Sequence, residues 1–161
     1  MAMLTEDRVL VFRPQLDTAP VMTYPDVVSM AILPGASPGD SADLVLHHAH
    51  GTLARYEGLF ASPSVSVSGV DAGGPVAAFR QAPFQTPLVA VNTLGRLSVL
   101  SFDRPEPLFS APMPVWATRL AAEDIDGDGL IELIAYGGML QIFEVPGELL
   151  FGNGFDIADP R

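Results

Sequence analysis

A chain of 161 residues, 48% of them apolar, is long enough to bury a core and too apolar for disorder. Its 15 glycines and 15 prolines imply many turns and few long helices, which favours an all-β fold. With 19 acidic and 8 basic residues the formal charge is −11, which repels phosphate backbones and excludes nucleic acid as a partner, while drawing cations and basic surfaces.

The absence of cysteine rules out disulfides and thiolate metal sites. The first eight residues turn acidic at Glu6 and Asp7, where a signal peptide would need an apolar stretch. No apolar run approaches the roughly 20 residues that cross a bilayer. The expectation is a protein without membrane insertion or address signal. That favours an intracellular setting and leaves localisation otherwise open.

In chain order, the first strand signal is Asp7–Phe12, a turn residue followed by alternating apolar positions, with Val21–Tyr24 after it. The same form returns at Gly51–Tyr56, Gly95–Leu100 and Gly138–Phe143, so that the leading residues (7, 51, 95 and 138) are spaced by 44, 44 and 43. A second matched strand precedes each of the last three: Asp43–Leu46, Pro87–Ala90 and Glu132–Ala135. Their nearly continuous apolarity predicts burial on both faces. Val27–Leu33 and Pro75–Phe79 open the first two full units, and the third is expected to hold strands near Val115–Ala121, Glu132–Tyr136, Leu140–Val145 and Glu148–Phe151.

Four short strands repeated every 40–45 residues or so describe a β-propeller blade. A two-layer sandwich also spaces short strands evenly, but four matching hairpin strands argue against it. The resulting division is a half-blade at 5–25, blades at 26–70, 71–112 and 113–154, and a tail at 155–161. The half-blade would contribute two outer strands only. About 176 residues are needed for even four units of this period, so the propeller reads as incomplete. The incomplete blade can be finished by the tail Phe155–Arg161, by another chain or by sequence beyond this stretch, and completion is expected from a protein partner, a second copy or such further sequence.

One loop carries chemistry. Asp124, Asp126 and Asp128 alternate with Ile125, Gly127 and Gly129, and Glu132 follows four positions later. Calcium takes six to eight hard oxygen ligands, which alternate carboxylates in a tight loop supply. Glycines permit the left-handed backbone such a loop needs. The carbonyl of Leu130 is placed to add a backbone ligand. The first half mimics an EF-hand loop, but Ala135 stands where that motif needs its bidentate Glu, and the flanks carry strand signals. An EF-hand is therefore rejected.

The Asp-x-Asp-x-Asp-Gly-x-x-Glu run at 124–132, followed by Leu133-Ile134 and by Gly138-x-Leu140-x-Ile142-Phe143, resembles the calcium loop of FG-GAP and VCBS-type propeller repeats, the family of the integrin α-chain propeller. That resemblance implies one calcium between the first two strands of the blade, held by Asp124, Asp126, Asp128, the backbone of Leu130, and Glu132. Glu123 departs from the family's usual Gly, and Glu132 from its more common Asp. The equivalent loops elsewhere are degraded: residues 37–43 keep Asp40 and Asp43, and residues 81–87 keep no acid. One metal site is expected, stabilising rather than catalytic, since no nucleophile or general base accompanies it.

Three weaker signals remain. His48 and His50 would share a face on a strand, which is too few ligands for a transition metal. Ser64, Ser66 and Ser68 alternate with valines as in an outer strand, and no serine lies in a nucleophile elbow. Trp116 is lone and reads as core. The reading is therefore a non-enzymatic, calcium-stabilised interaction or scaffold module. A lectin-like propeller is the alternative, although it would repeat an aromatic and acidic pocket in every blade.

Overall fold

The computed structural model describes residues 2–11, 19–37, 39–57, 62–71, 73–81, 86–93, 95–113 and 117–146. Among them there is no helix, and fourteen strands form four separate antiparallel sheets. The first contains β1 (Ala2–Leu4), β2 (Arg8–Val11) and β3 (Met22–Pro25), in that order. The second is β4 (Val27–Leu33), β5 (Asp43–His48), β6 (Thr52–Tyr56) and β7 (Val65–Ser68). The third is β8 (Val76–Gln81), β9 (Thr86–Thr93), β10 (Arg96–Ser101) and β11 (Arg104–Pro112). The fourth is β12 (Arg119–Glu123), β13 (Glu132–Tyr136) and β14 (Leu140–Glu144). Each is a plain up-and-down meander.

The repeat has a backbone cause. Gly51, Gly95 and Gly138 lie in the turns that lead into β6, β10 and β14, with φ of 78°, 76° and 92°. A side chain there would be strained. At Gly51 space adds to the constraint, because a Cβ would lie 2.4 Å from the carbonyl oxygen of Val70. Prolines fall where the ladder tolerates them: Pro107 and Pro112 sit in β11, an edge strand. Serines 66 and 68 are likewise in the edge strand β7.

Alternation on the strands builds a core between each consecutive pair of sheets. Val9, Val11 and Tyr24 of the first sheet meet Leu44, Leu46, Ala54 and Tyr56 of the second, where the rings of Tyr24 and Tyr56 pack at a 57° tilt with centres 4.5 Å apart. The opposite face of the second sheet, with Val45, Leu53 and Val67, meets Val76, Val89, Val91 and Leu100 of the third. The third in turn places Phe79, Leu88, Ala90, Leu97 and Val99 against Leu133, Ala135 and Val145. The two middle sheets are thus buried on both sides, as their continuous apolar runs require. The first strands β4, β8 and β12 lie beside one another, so the sheets succeed each other along one edge. Two sheets stacked as a sandwich would give one core layer rather than three.

The structure corrects the expected strands in two places. The first sheet has a third strand, Ala2–Leu4, which pairs with β2 through Ala2–Val11, Met3–Leu10 and Leu4–Val9. At three residues it is too short to show a period, and only the hairpin partner identifies it. The opening strand of the fourth sheet runs at Arg119–Glu123 rather than Val115–Ala121, because it is in register with β13 from Arg119–Tyr136 to Glu123–Glu132. The expected strand Glu148–Phe151, the tail 155–161 and Trp116 lie outside the described residues.

Candidate functional site

The acidic loop joins β12 to β13, and strands flank it on both sides. Gly127 and Gly129 adopt φ of 81° and 89°, which folds the chain back on itself. Backbone amides then turn towards the carboxylates. Asp124 accepts from the N–H of Gly127 through Oδ1 (2.7 Å) and from that of Gly129 through Oδ2 (3.0 Å). Asp126 accepts from the N–H of Asp128 (3.2 Å), and Asp128 from that of Leu130 (2.8 Å). These bonds fix side-chain directions that repulsion alone would splay apart.

Asp124, Asp126 and Asp128 each bring one carboxylate oxygen within 4.8 Å of the others, and all three are exposed. Two ligands of one calcium, each about 2.3–2.6 Å from it, stand at most about 5.2 Å apart. The three oxygens satisfy that limit. Among the described residues this is the one group of three or more such side chains close enough to share an ion. Glu132 does not join the group: it is buried at the head of β13, and its Oε2 accepts from the N–H of Ile125 (2.7 Å).

A row of glutamates escaped the sequence reading. Glu132 lies directly opposite Glu123 on one side and Glu144 on the other, so three carboxylates cross the sheet beside the loop. Like charges in such positions are destabilising unless offset. Counting outward from the turn at Gly138 would have paired Glu132 with Glu144. The link to Glu123 needed the length of the loop as well.

The corresponding loop of the second sheet differs. Asp40 caps its own turn by accepting from the N–H of Ser37 (2.9 Å). Asp43 is buried and pairs with Arg55 at 2.7 Å, with Arg80 at 3.9 Å. The histidines separate. His47 is fully buried on the face towards the third sheet, with Nδ1 3.4 Å from the carbonyl oxygen of Gly74. Burial, reinforced by His48 nearby, pushes its pKa down against the opposing pull of that carbonyl. His48 ends β5 and His50 lies in the turn, with ring centres 5.3 Å apart.

The sequence matches no protein-family model and no curated protein. Among solved structures the chain is similar to BBS1N, the N-terminal domain of BBS1, in its complex with ARL6DN soaked with lead. The TM-score is 0.58 at 14% identity, over 86% of this chain and 46% of that one. BBS1N is a β-propeller. The four sheets here are propeller blades. A mercury-soaked structure of the same complex aligns at TM-score 0.46 and 14% identity, over 88% of this chain and 59% of that one. The chain spans about half the length of BBS1N (46%), and identity this low speaks to fold alone.

Proposed function

We propose that this chain is a propeller module for protein–protein interaction, or a scaffold subunit of a larger assembly, whose fourth blade is pinned by calcium in the loop 124–132. The calcium reading is carried by the convergence of Asp124, Asp126 and Asp128 within 4.8 Å. Those three side chains would hold the ion, with the carbonyl of Leu130, and Glu132 would complete the set through an oxygen not engaged by Ile125. The bound ion would offset the mutual repulsion of the carboxylates and tie β12 to β13. This is the role the resemblance to FG-GAP and VCBS-type repeats implies.

The interaction reading is supported by the fold, which BBS1N uses in a complex with ARL6DN. We assign no reaction to the chain. Two measurements test it. Calcium titrated by calorimetry should show one site, lost in Asp126→Asn; absence of calcium heat overturns the metal assignment. Affinity capture from source cells, followed by reconstitution from purified components, should yield a direct protein complex. A glycan array with specific hits and no protein complex would replace this reading with the lectin-like one.

A further inference from the structure

The three sheet-to-sheet contacts inside the chain repeat one pattern, and among the described residues the first and fourth sheets each show one half of it uncovered. Take the ladder rows counted from the turn glycines. His47–Leu53 in the second sheet, Asn92–Leu97 in the third and Tyr136–Leu140 in the fourth are equivalent pairs. The next row on that face is Val45–Arg55, Ala90–Val99 and Ile134–Ile142. In the second and third sheets, His47, Leu53, Asn92, Leu97, Val45, Ala90 and Val99 are buried by the sheet that follows. In the fourth, Tyr136 is 52% exposed, Leu140 62% and Ile142 55%.

The first sheet shows the converse face. Met3–Leu10 occupies the row of Leu46–Ala54, Val91–Ser98 and Ala135–Gln141. Leu46, Val91 and Ala135 are buried by the sheet that precedes them, whereas Met3 is 44% exposed. One chain therefore carries both the leading and the trailing half of the same apolar contact, at opposite ends of its stack. Exposed apolar faces of this kind mark association surfaces.

We propose that the open face of the fourth sheet (Tyr136, Leu140 and Ile142, beside the half-buried Ile134) receives the open face of the first sheet (Met3, beside the half-buried Leu10) of a second copy of this chain, head to tail. The contact continues the interface already made three times within the chain. A head-to-tail contact must either close into a ring or run on as a filament. Two copies of four sheets make eight, at the upper end of the roughly four to eight blades of propellers. The inference deepens the protein-interaction reading by naming the partner, and it is independent of calcium.

Light scattering coupled to size exclusion tests it on the full chain. The expected mass is about twice the 17.0 kDa of one chain, unchanged on dilution and by chelator. Leu140→Glu and Met3→Glu, at opposite ends, should each weaken the dimer at least about thirtyfold, because each would bury a charge at the centre of the contact. Since the chain has no cysteine, Met3→Cys and Ile142→Cys supply small apolar variants that keep the fold. Mixed, they should cross-link to each other, and neither should cross-link to itself. A monomer that binds a different protein overturns the second copy while leaving the interaction reading standing. Self-linking of either cysteine variant, or a growing filament, overturns the head-to-tail ring.

Discussion

The loops that open the second strand of the second and fourth sheets occupy equivalent places and surround their acids differently. Asp43 and Glu132 are equivalent: each heads its strand, and each is buried. In the second sheet the counter-charge is built in, with Arg55 from the neighbouring strand at 2.7 Å and Glu57 sharing the same guanidinium nitrogen at 3.1 Å. In the fourth sheet Ile142 occupies the place of Arg55, and the acids instead multiply to Asp124, Asp126, Asp128 and Glu132. Under the calcium proposal, the buried carboxylate at this corner is balanced by a side chain in the second sheet and by an ion in the fourth.

Removing one partner of the built-in pair should break the comparison most visibly. Asp43→Ala leaves Arg55, in a mostly buried place, with Glu57 as its acidic partner among the described residues, and should cost about 3 kcal/mol, the low end for such a loss. Chemical denaturation would show that loss equally with calcium and with chelator. A calcium-dependent loss would mean that the two corners are not separate.

The converse test is the ion itself. At a hundredfold excess over its dissociation constant, calcium should stabilise the folded chain by about 2.7 kcal/mol, or roughly 5–10 °C in melting temperature. Asp126→Asn should abolish that shift. It should leave the Asp43–Arg55 corner, and the melting temperature in chelator, nearly unchanged.

A smaller effect sharpens the role of Glu132. Gln keeps an acceptor for the N–H of Ile125 and removes one charge from the row Glu123–Glu132–Glu144. Glu132→Gln should weaken calcium about tenfold by calorimetry and slightly raise stability in chelator, since repulsion falls. If affinity is unaltered, Glu132 is a structural acceptor and not a ligand.

The least of these effects concerns acid. His47, in the second sheet, has its pKa lowered by burial from an ordinary value near 6.5, so the unfolded chain takes up its proton first. Its contribution is fully present above about pH 6.5 and is lost as pH falls through the depressed folded value, by at most about 1.4 kcal/mol per pH unit. Unfolding measured from pH 7.5 to 5 should lose that slope in His47→Leu. A slope retained in the variant would move the acid sensitivity elsewhere.

Much of this was legible in the residues because it is local. The turns at Gly51, Gly95 and Gly138 take positive φ, and the spacing of these glycines marks the period of about 44. The alternation of Asp124, Asp126 and Asp128 is local too, and with Gly127 and Gly129 at positive φ their carboxylates lie within 4.8 Å of one another. What the linear order could not decide depends on groups far away in it. Ala2–Leu4 becomes a strand only because β2 is there to receive it, and Asp43 is neutralised by an arginine twelve residues on. Whether Ile142 is covered or open depends on a neighbouring sheet, since either face of a strand can be core and only the packed partner selects which.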